Sequence, residues 1–155
     1  MTKILFVCHG NICRSPMAEF IFKDLINKKG IANSFFVASA ATSDEEIWGG
    51  VGNPIYPPAK AEMDRRGLPY DKNKRAVRLL SEDYNKYDMF ICMDANNVRN
   101  AYRIFGGDPE GKISKLMSYT GSDTDVSDPW YSHKFDVAYN DIYKGCIALL
   151  EYLNQ

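Results

Sequence analysis

The chain lacks any apolar run approaching the roughly 20 residues that cross a bilayer, and its 155 residues hold no internal repeat, low-complexity tract or interdomain linker. Its opening, MTKILFVC, is too short and too soon charged to read as a secretory signal. These absences point to one domain over residues 1–155, cytoplasmic, off the membrane and monomeric by default. An excess of one charge is missing too: 19 Lys and Arg stand against 20 Asp and Glu, a net charge of −1. That balance gives no electrostatic case for a nucleic-acid or anionic-membrane partner, so any basic site must be local. Histidine is scarce, with only His9 and His133, and there is no C-x-x-C pair. No zinc site is expected, and nothing else in the chain asks for a metal or cofactor. Four cysteines, Cys8, Cys13, Cys92 and Cys146, would suffice for two disulfides. A domain of this length needs none and cytosolic thiols stay reduced, so they read as reactive or buried thiols.

What is present is an alternation of apolar runs and helical spacings. KILFVC (3–8) reads as a strand. In SPMAEFIFKDLINKKG (15–30), Phe20, Phe22, Leu25 and Ile26 fall near helical spacing, with Ser15 as cap, Pro16 in the first turn and Gly30 as stop. SFFVASA (34–40) predicts a second strand, and PPAKAEMDRRG (57–67) a proline-started, glycine-stopped helix. SEDYNKYD (81–88) predicts a short capped helix, MFICM (89–93) a buried strand, and DANNVRNAYRIF (94–105) a helix capped by Asp94. KISKLM (112–117) would be the fourth strand. The last helix, FDVAYNDIYKGCIALLEYL (135–153), places Val137, Tyr139, Ile142, Tyr143, Ile147, Leu150 and Leu153 on one face. The alternation predicts a single-domain α/β fold: a four-stranded parallel twisted sheet with helices on both faces. The connections 41–56, with WGGVGNP, and 118–134, with SDPWY, stand out as long loops.

The chemistry concentrates in FVCHGNICRSP (6–16). Cys8 and Arg14 bracket a loop that leaves the carboxyl end of the first strand and enters a helix, where open α/β sheets bind ligands. Successive backbone N–H groups and the helix's positive end make such a loop an anion cradle, and Gly10 lets the backbone approach closely. A thiol inside that ring, near a guanidinium, favours the thiolate. Arg14 offers a two-pronged donor matched to two phosphate oxygens, Ser15 can point its hydroxyl at the sulfur, and Asn11 can brace the loop. Residues 8–15, with His9, Gly10, Ile12 and Cys13 completing the phosphate-binding loop, therefore read as a nucleophile in an oxyanion cradle suited to attack on phosphorus.

VCHGNICRSPMAE resembles the signature loop of the low-molecular-weight protein tyrosine phosphatases, and the likeness extends through SAATS, CMDANN and SDPWY to the final helix. The resemblance implies a metal-independent phosphoric monoester hydrolase acting on phosphotyrosine proteins or small aryl phosphates and releasing inorganic phosphate. It assigns Cys8 as nucleophile through a phosphocysteine, Arg14 as phosphate clamp and Asp128 as general acid and base. Trp130 and Tyr131 would flank the substrate ring, with Trp48 as a third wall, making a slot too deep for phosphoserine. Family members also use a loop cysteine, here Cys13, to trap an oxidised nucleophile as a reversible disulfide. Ile12 stands where relatives acting on phosphoarginine carry threonine, so the tyrosine class is favoured. Arsenate reductases share the fold, but their chemistry wants a close, mobile cysteine pair late in the chain, whereas Cys92 and Cys146 are far apart.

The chain departs from the family pattern at three places. EEIWGGVGNPIY is longer than the family's loop. Trp130 replaces a more usual tyrosine. Lys74 stands about where some members have a histidine bracing the loop asparagine, so Asn11 is expected to be held mainly by Ser39. The remaining residues have blander readings: Cys92, Cys146, Tyr139 and Tyr143 in the core, His133 in solvent, and KNKR (72–75) as a solvated turn.

Overall fold

The computed structural model describes residues 1–155. Strand β1 (Thr2–Cys8) is buried on both faces over Ile4–Cys8, as its unbroken apolar run requires of a central parallel strand. It feeds α1 (Arg14–Lys28) and then β2 (Phe35–Ala41). A short antiparallel pair, β3 (Ile47–Trp48) and β4 (Val51–Gly52), precedes α2 (Pro57–Arg65). There follow β5 (Met89–Cys92), α3 (Ala95–Phe105), β6 (Ile113–Lys115), the single turn α4 (Pro129–Ser132) and α5 (Phe135–Leu153).

The main sheet has the order β2-β1-β5-β6, and every pairing is parallel. The chain steps from β1 to one neighbour, β2, and then crosses to the other side of β1 to lay down β5. That reversal places a crevice at the carboxyl end of β1, where Cys8 sits. The larger apolar cluster joins α1, α2 and α5 to one face through Ile4, Phe6, Ile91 and Met93. The alternate residues Leu5, Val7, Phe90 and Cys92 pack against Ala101 of α3 on the other. Gly145 lets α5 lie close to Leu116, since a Cβ there would meet Leu116 Cγ at 2.6 Å.

The four-stranded parallel sheet is as the spacing predicts, with several local differences. The segment 41–56 is not a plain loop: Gly49 and Gly50 take φ of 56° and 79° and close a two-residue turn between β3 and β4. Residues 81–85 wind as a 3₁₀ turn, and the apolar run at 112–117 leaves the sheet after Lys115 for another. Ser15 does not cap α1. Cys13 occupies that position, and Ser15, two residues further in, turns its hydroxyl to the loop. Tyr143 and Val137 are part-exposed, because the buried stripe of α5 runs through Ala138, Tyr139, Ile142, Cys146 and Leu149 and leaves them on its flank.

Candidate active site

Residues 9–13 form a loop whose carbonyls are tied back into the scaffold. Cys8 O accepts from Thr42 N at 3.0 Å, His9 O from Ser43 N at 3.1 Å and Ile12 O from Tyr56 N at 2.9 Å. The N–H groups of His9, Gly10, Ile12 and Cys13 are left without carbonyl partners, and Asn11 N donates to Cys8 Sγ at 3.3 Å. Asn11 holds a left-handed φ of 59°, which asparagine tolerates better than most residues. Gly10 packs against Glu46, whose Cγ would lie 3.2 Å from a Cβ at position 10.

Around the sulfur, Ser15 Oγ lies 3.0 Å from Cys8 Sγ. Arg14 is 3 % exposed; its Nη1 donates to Asp94 Oδ2 and to Val126 O, each at 2.8 Å, while Nη2 stands 3.7 Å from Asp128 Oδ2. Burial works against the guanidinium's charge, but Cys8, Asp94 and Asp128 outweigh it and raise its pKa. Burial likewise pushes the Cys13 thiol up, with the negative charge of Cys8 adding to the shift.

Asp128 caps α4 by accepting from Trp130 N at 3.0 Å, and Pro129 starts that turn. A cavity of about 130 Å³ is lined by Cys8, the loop residues 9–14, Asp128, Trp130 and Tyr131, together with Glu45 and Glu46. Trp130 leans on Tyr56, their ring centroids 4.8 Å apart, and Tyr131 is exposed. The arrangement presents a sulfur atom under amide donors, a guanidinium and a carboxyl group at one opening. No three His, Cys, Asp or Glu side chains converge as a metal-ligand set.

The structure brings Cys8, Arg14, Asp128, the loop, Trp130 and Tyr131 together, but not Trp48. The two-glycine turn points Trp48 into solvent at 74 % exposure, outside the cavity wall, and Glu45 and Glu46 stand there instead. Ser39 does accept from Asn11 Nδ2, at 2.9 Å, yet it is not the main brace expected of it. Lys74 Nζ and Val77 N both donate to Asn11 Oδ1, at 2.9 and 3.0 Å, so residue 74 is no solvated turn. His9 reaches outward to Glu45 at 2.9 Å. Asp94 and Glu19 join the site as well, and neither carries a site signal in the sequence. A carboxylate capping a helix and one in a helix's second turn look structural until the fold carries them to Arg14 and Ser39.

Residues 3–155 match the family model described as low molecular weight phosphotyrosine protein phosphatase. The chain belongs to that family. The phosphatase is 37 % identical over 152 residues to the Bacillus subtilis low molecular weight protein-tyrosine-phosphatase YfkJ, covering 97 % of this chain and 94 % of the relative. It is 36 % identical over 153 residues to the human low molecular weight phosphotyrosine protein phosphatase, covering 96 % and 93 %. The crystal structure of YfkJ superposes with a TM-score of 0.92 at 35 % identity, covering 99 % of this chain and 95 % of that one. No helix of the phosphatase is long and apolar enough to cross a membrane.

Proposed function

We propose that this phosphatase hydrolyses phosphotyrosine monoesters, on proteins or as small aryl phosphates, through a phosphocysteine. One observation carries the reading: Cys8 and Arg14 from the first loop and Asp128 from far along the chain face a single cavity walled by aromatic side chains. Cys8 Sγ attacks phosphorus as the bond to the aryl oxygen breaks, and Asp128 passes its proton to the leaving oxygen. Asp128 then takes a proton from water, whose oxygen attacks phosphorus, breaks the S–P bond and releases inorganic phosphate. The loop N–H groups and Arg14 hold the phosphoryl oxygens throughout. Trp130 and Tyr131 supply the walls for the substrate ring.

Two features weigh against other chemistries on this fold. Ile12 lines the cavity, which favours an aryl ester over phosphoarginine. Cys92 and Cys146 are wholly buried in different apolar clusters on opposite faces of the sheet, so they cannot relay a disulfide as an arsenate reductase would. A panel of phosphotyrosine, phosphoserine and phosphoarginine peptides tests the class. Phosphotyrosine is expected to give by far the largest kcat/KM, and a preference for either of the others overturns the assignment.

Cys13 is the candidate redox partner of Cys8, in a monomeric protein of the reducing cytoplasm. Peroxide oxidises the Cys8 thiolate to a sulfenic acid; the Cys13 thiol attacks that sulfur, a disulfide forms and water leaves. Peroxide-treated protein should yield a Cys8–Cys13 peptide and regain activity with thiol, whereas Cys13→Ser should not recover. Absence of that peptide from the wild type contradicts the role.

A further inference from the structure

Between Gly121 and Pro129 the chain that delivers Asp128 forms neither helix nor strand, and over residues 121–128 only Val126 is buried. A stretch with so little buried surface is not placed by its own packing. Three consecutive residues at the end of β5 and the start of α3 take hold of it. Met93 O accepts from Val126 N at 2.9 Å, Asp94 holds the Arg14 guanidinium that donates to Val126 O, and Ala95 N donates to Asp125 Oδ1 at 3.1 Å.

A further hold comes from the neighbouring strand. Lys115, the last residue of β6, donates from Nζ to Asp123 O at 2.6 Å and to Asp125 Oδ1 at 2.9 Å, with Asp123 Oδ1 3.6 Å away. Its side chain is mostly covered, although both carboxylates are open to water. The bond to Asp125 raises the Lys115 pKa, burial works against the rise, and the charges of Asp125 and Asp123 add to it, so the group is an ammonium at any working pH. An isolated surface ion pair is worth little. Here the same Asp125 oxygen also takes the first N–H of α3, where the positive end of the helix favours a carboxylate, so the pair ties the segment to two elements at once.

We propose that Lys115 is a positioning residue for Asp128: by pinning Asp123 and Asp125 it fixes the direction in which the chain passes through Val126 to the acid. The proposal rests on the reading of Asp128 as general acid. The two backbone bonds of Val126 leave an axis about which the segment can swing, and a second point of attachment at Asp125, off that axis, stops the swing. Without Lys115, Asp123 O loses its donor and Asp125 keeps only the N–H of Ala95. The carboxyl group two residues beyond Val126 then spends less time in line with the leaving oxygen.

A double-mutant cycle with Asp128 in the full chain tests this, with kcat/KM read on two esters: phenyl phosphate, whose leaving oxygen needs a proton, and para-nitrophenyl phosphate, whose phenolate leaves more readily. Lys115→Met is expected to lower kcat/KM about tenfold on phenyl phosphate, less than the about 10²-fold that a misplacement of about 1 Å can cost, because Val126 is still held. On para-nitrophenyl phosphate the loss should stay within about threefold, since less of that barrier depends on the acid. A defect spread through the fold would lower both alike. In Asp128→Ala, adding Lys115→Met should cost less than about another twofold on phenyl phosphate, because no acid is left to place. Wild-type kcat/KM on phenyl phosphate, equal losses on the two esters, or losses that multiply in the double variant each overturn the proposal. Should Lys115→Met not fold, Lys115→Gln takes its place: a loss confined mainly to phenyl phosphate supports the role, and equal or no loss overturns it. Failure of the acid assignment shows separately, as an Asp128→Ala loss of one size on both esters, and failure of the phosphatase reading as full turnover by Cys8→Ser.

Discussion

The guanidinium of Arg14 is held between two carboxylates, with Asp94 Oδ2 2.8 Å from Nη1 and Asp128 Oδ2 3.7 Å from Nη2. Nη1 also donates to Val126 O, two residues ahead of Asp128. One side chain therefore joins the nucleophile loop, the start of α3 and the segment that carries Asp128. The clamp is set before substrate arrives, which spares the reaction the cost of ordering it.

Removing Asp94 should strike both stability and rate. Asp94→Ala unpairs a guanidinium that is almost wholly buried and also removes the side-chain cap on Asn97 N. A loss of about 3 kcal/mol in urea unfolding is expected, with a lower kcat/KM for aryl phosphates. Asp94→Asn keeps a capping oxygen and should lose less. Equal stability of Asp94→Ala and wild type would show that the ion pair is not holding Arg14.

The acid has a different signature, because its work depends on the leaving group. Asp128→Ala should lower kcat by about 10² to 10⁴ on phenyl phosphate, and by less on para-nitrophenyl phosphate, whose phenolate leaves more readily. Its stability should be little changed, since Asp128 is part-exposed and its cap serves a single turn. A loss of the same size on both esters would mean that Asp128 does not protonate the leaving oxygen.

Gly52 tests the docking of the β3–β4 hairpin. A Cβ there would fall 1.9 Å from Ala76 O and 2.8 Å from Ala76 N, and backbone cannot give way as a side chain tip can. Gly52→Ala should destabilise the protein by about 3 kcal/mol, the upper end of overpacking costs. Because residues 74–77 also hold Asn11, its kcat should fall as well. An unchanged melting temperature would place the hairpin elsewhere.

The strand, loop and helix at 3–28 were legible in the sequence because their signals are local: an apolar run, Gly10, a proline in the first helical turn. Cys8 and Arg14 belong to that same short stretch. Asp128 required the resemblance as well, since an aspartate before proline is an ordinary turn residue. The partners of Arg14 and Asn11 were not legible. Asp94 lies 80 positions from Arg14 and Lys74 lies 63 from Asn11, and only the parallel crossovers bring them together. Trp48 was misplaced for the opposite reason, a local one. Two glycines at positive φ reverse the chain in two residues and turn the indole away from the cavity.

Hydrolysis of para-nitrophenyl phosphate by Cys8→Ser, compared with wild type at equal concentration and with both proteins shown folded, bears most directly on the site as a whole. The account predicts turnover by the wild type and none above background in the variant, which keeps every other cavity residue but loses the sulfur that must bond to phosphorus. Full turnover by Cys8→Ser would contradict it.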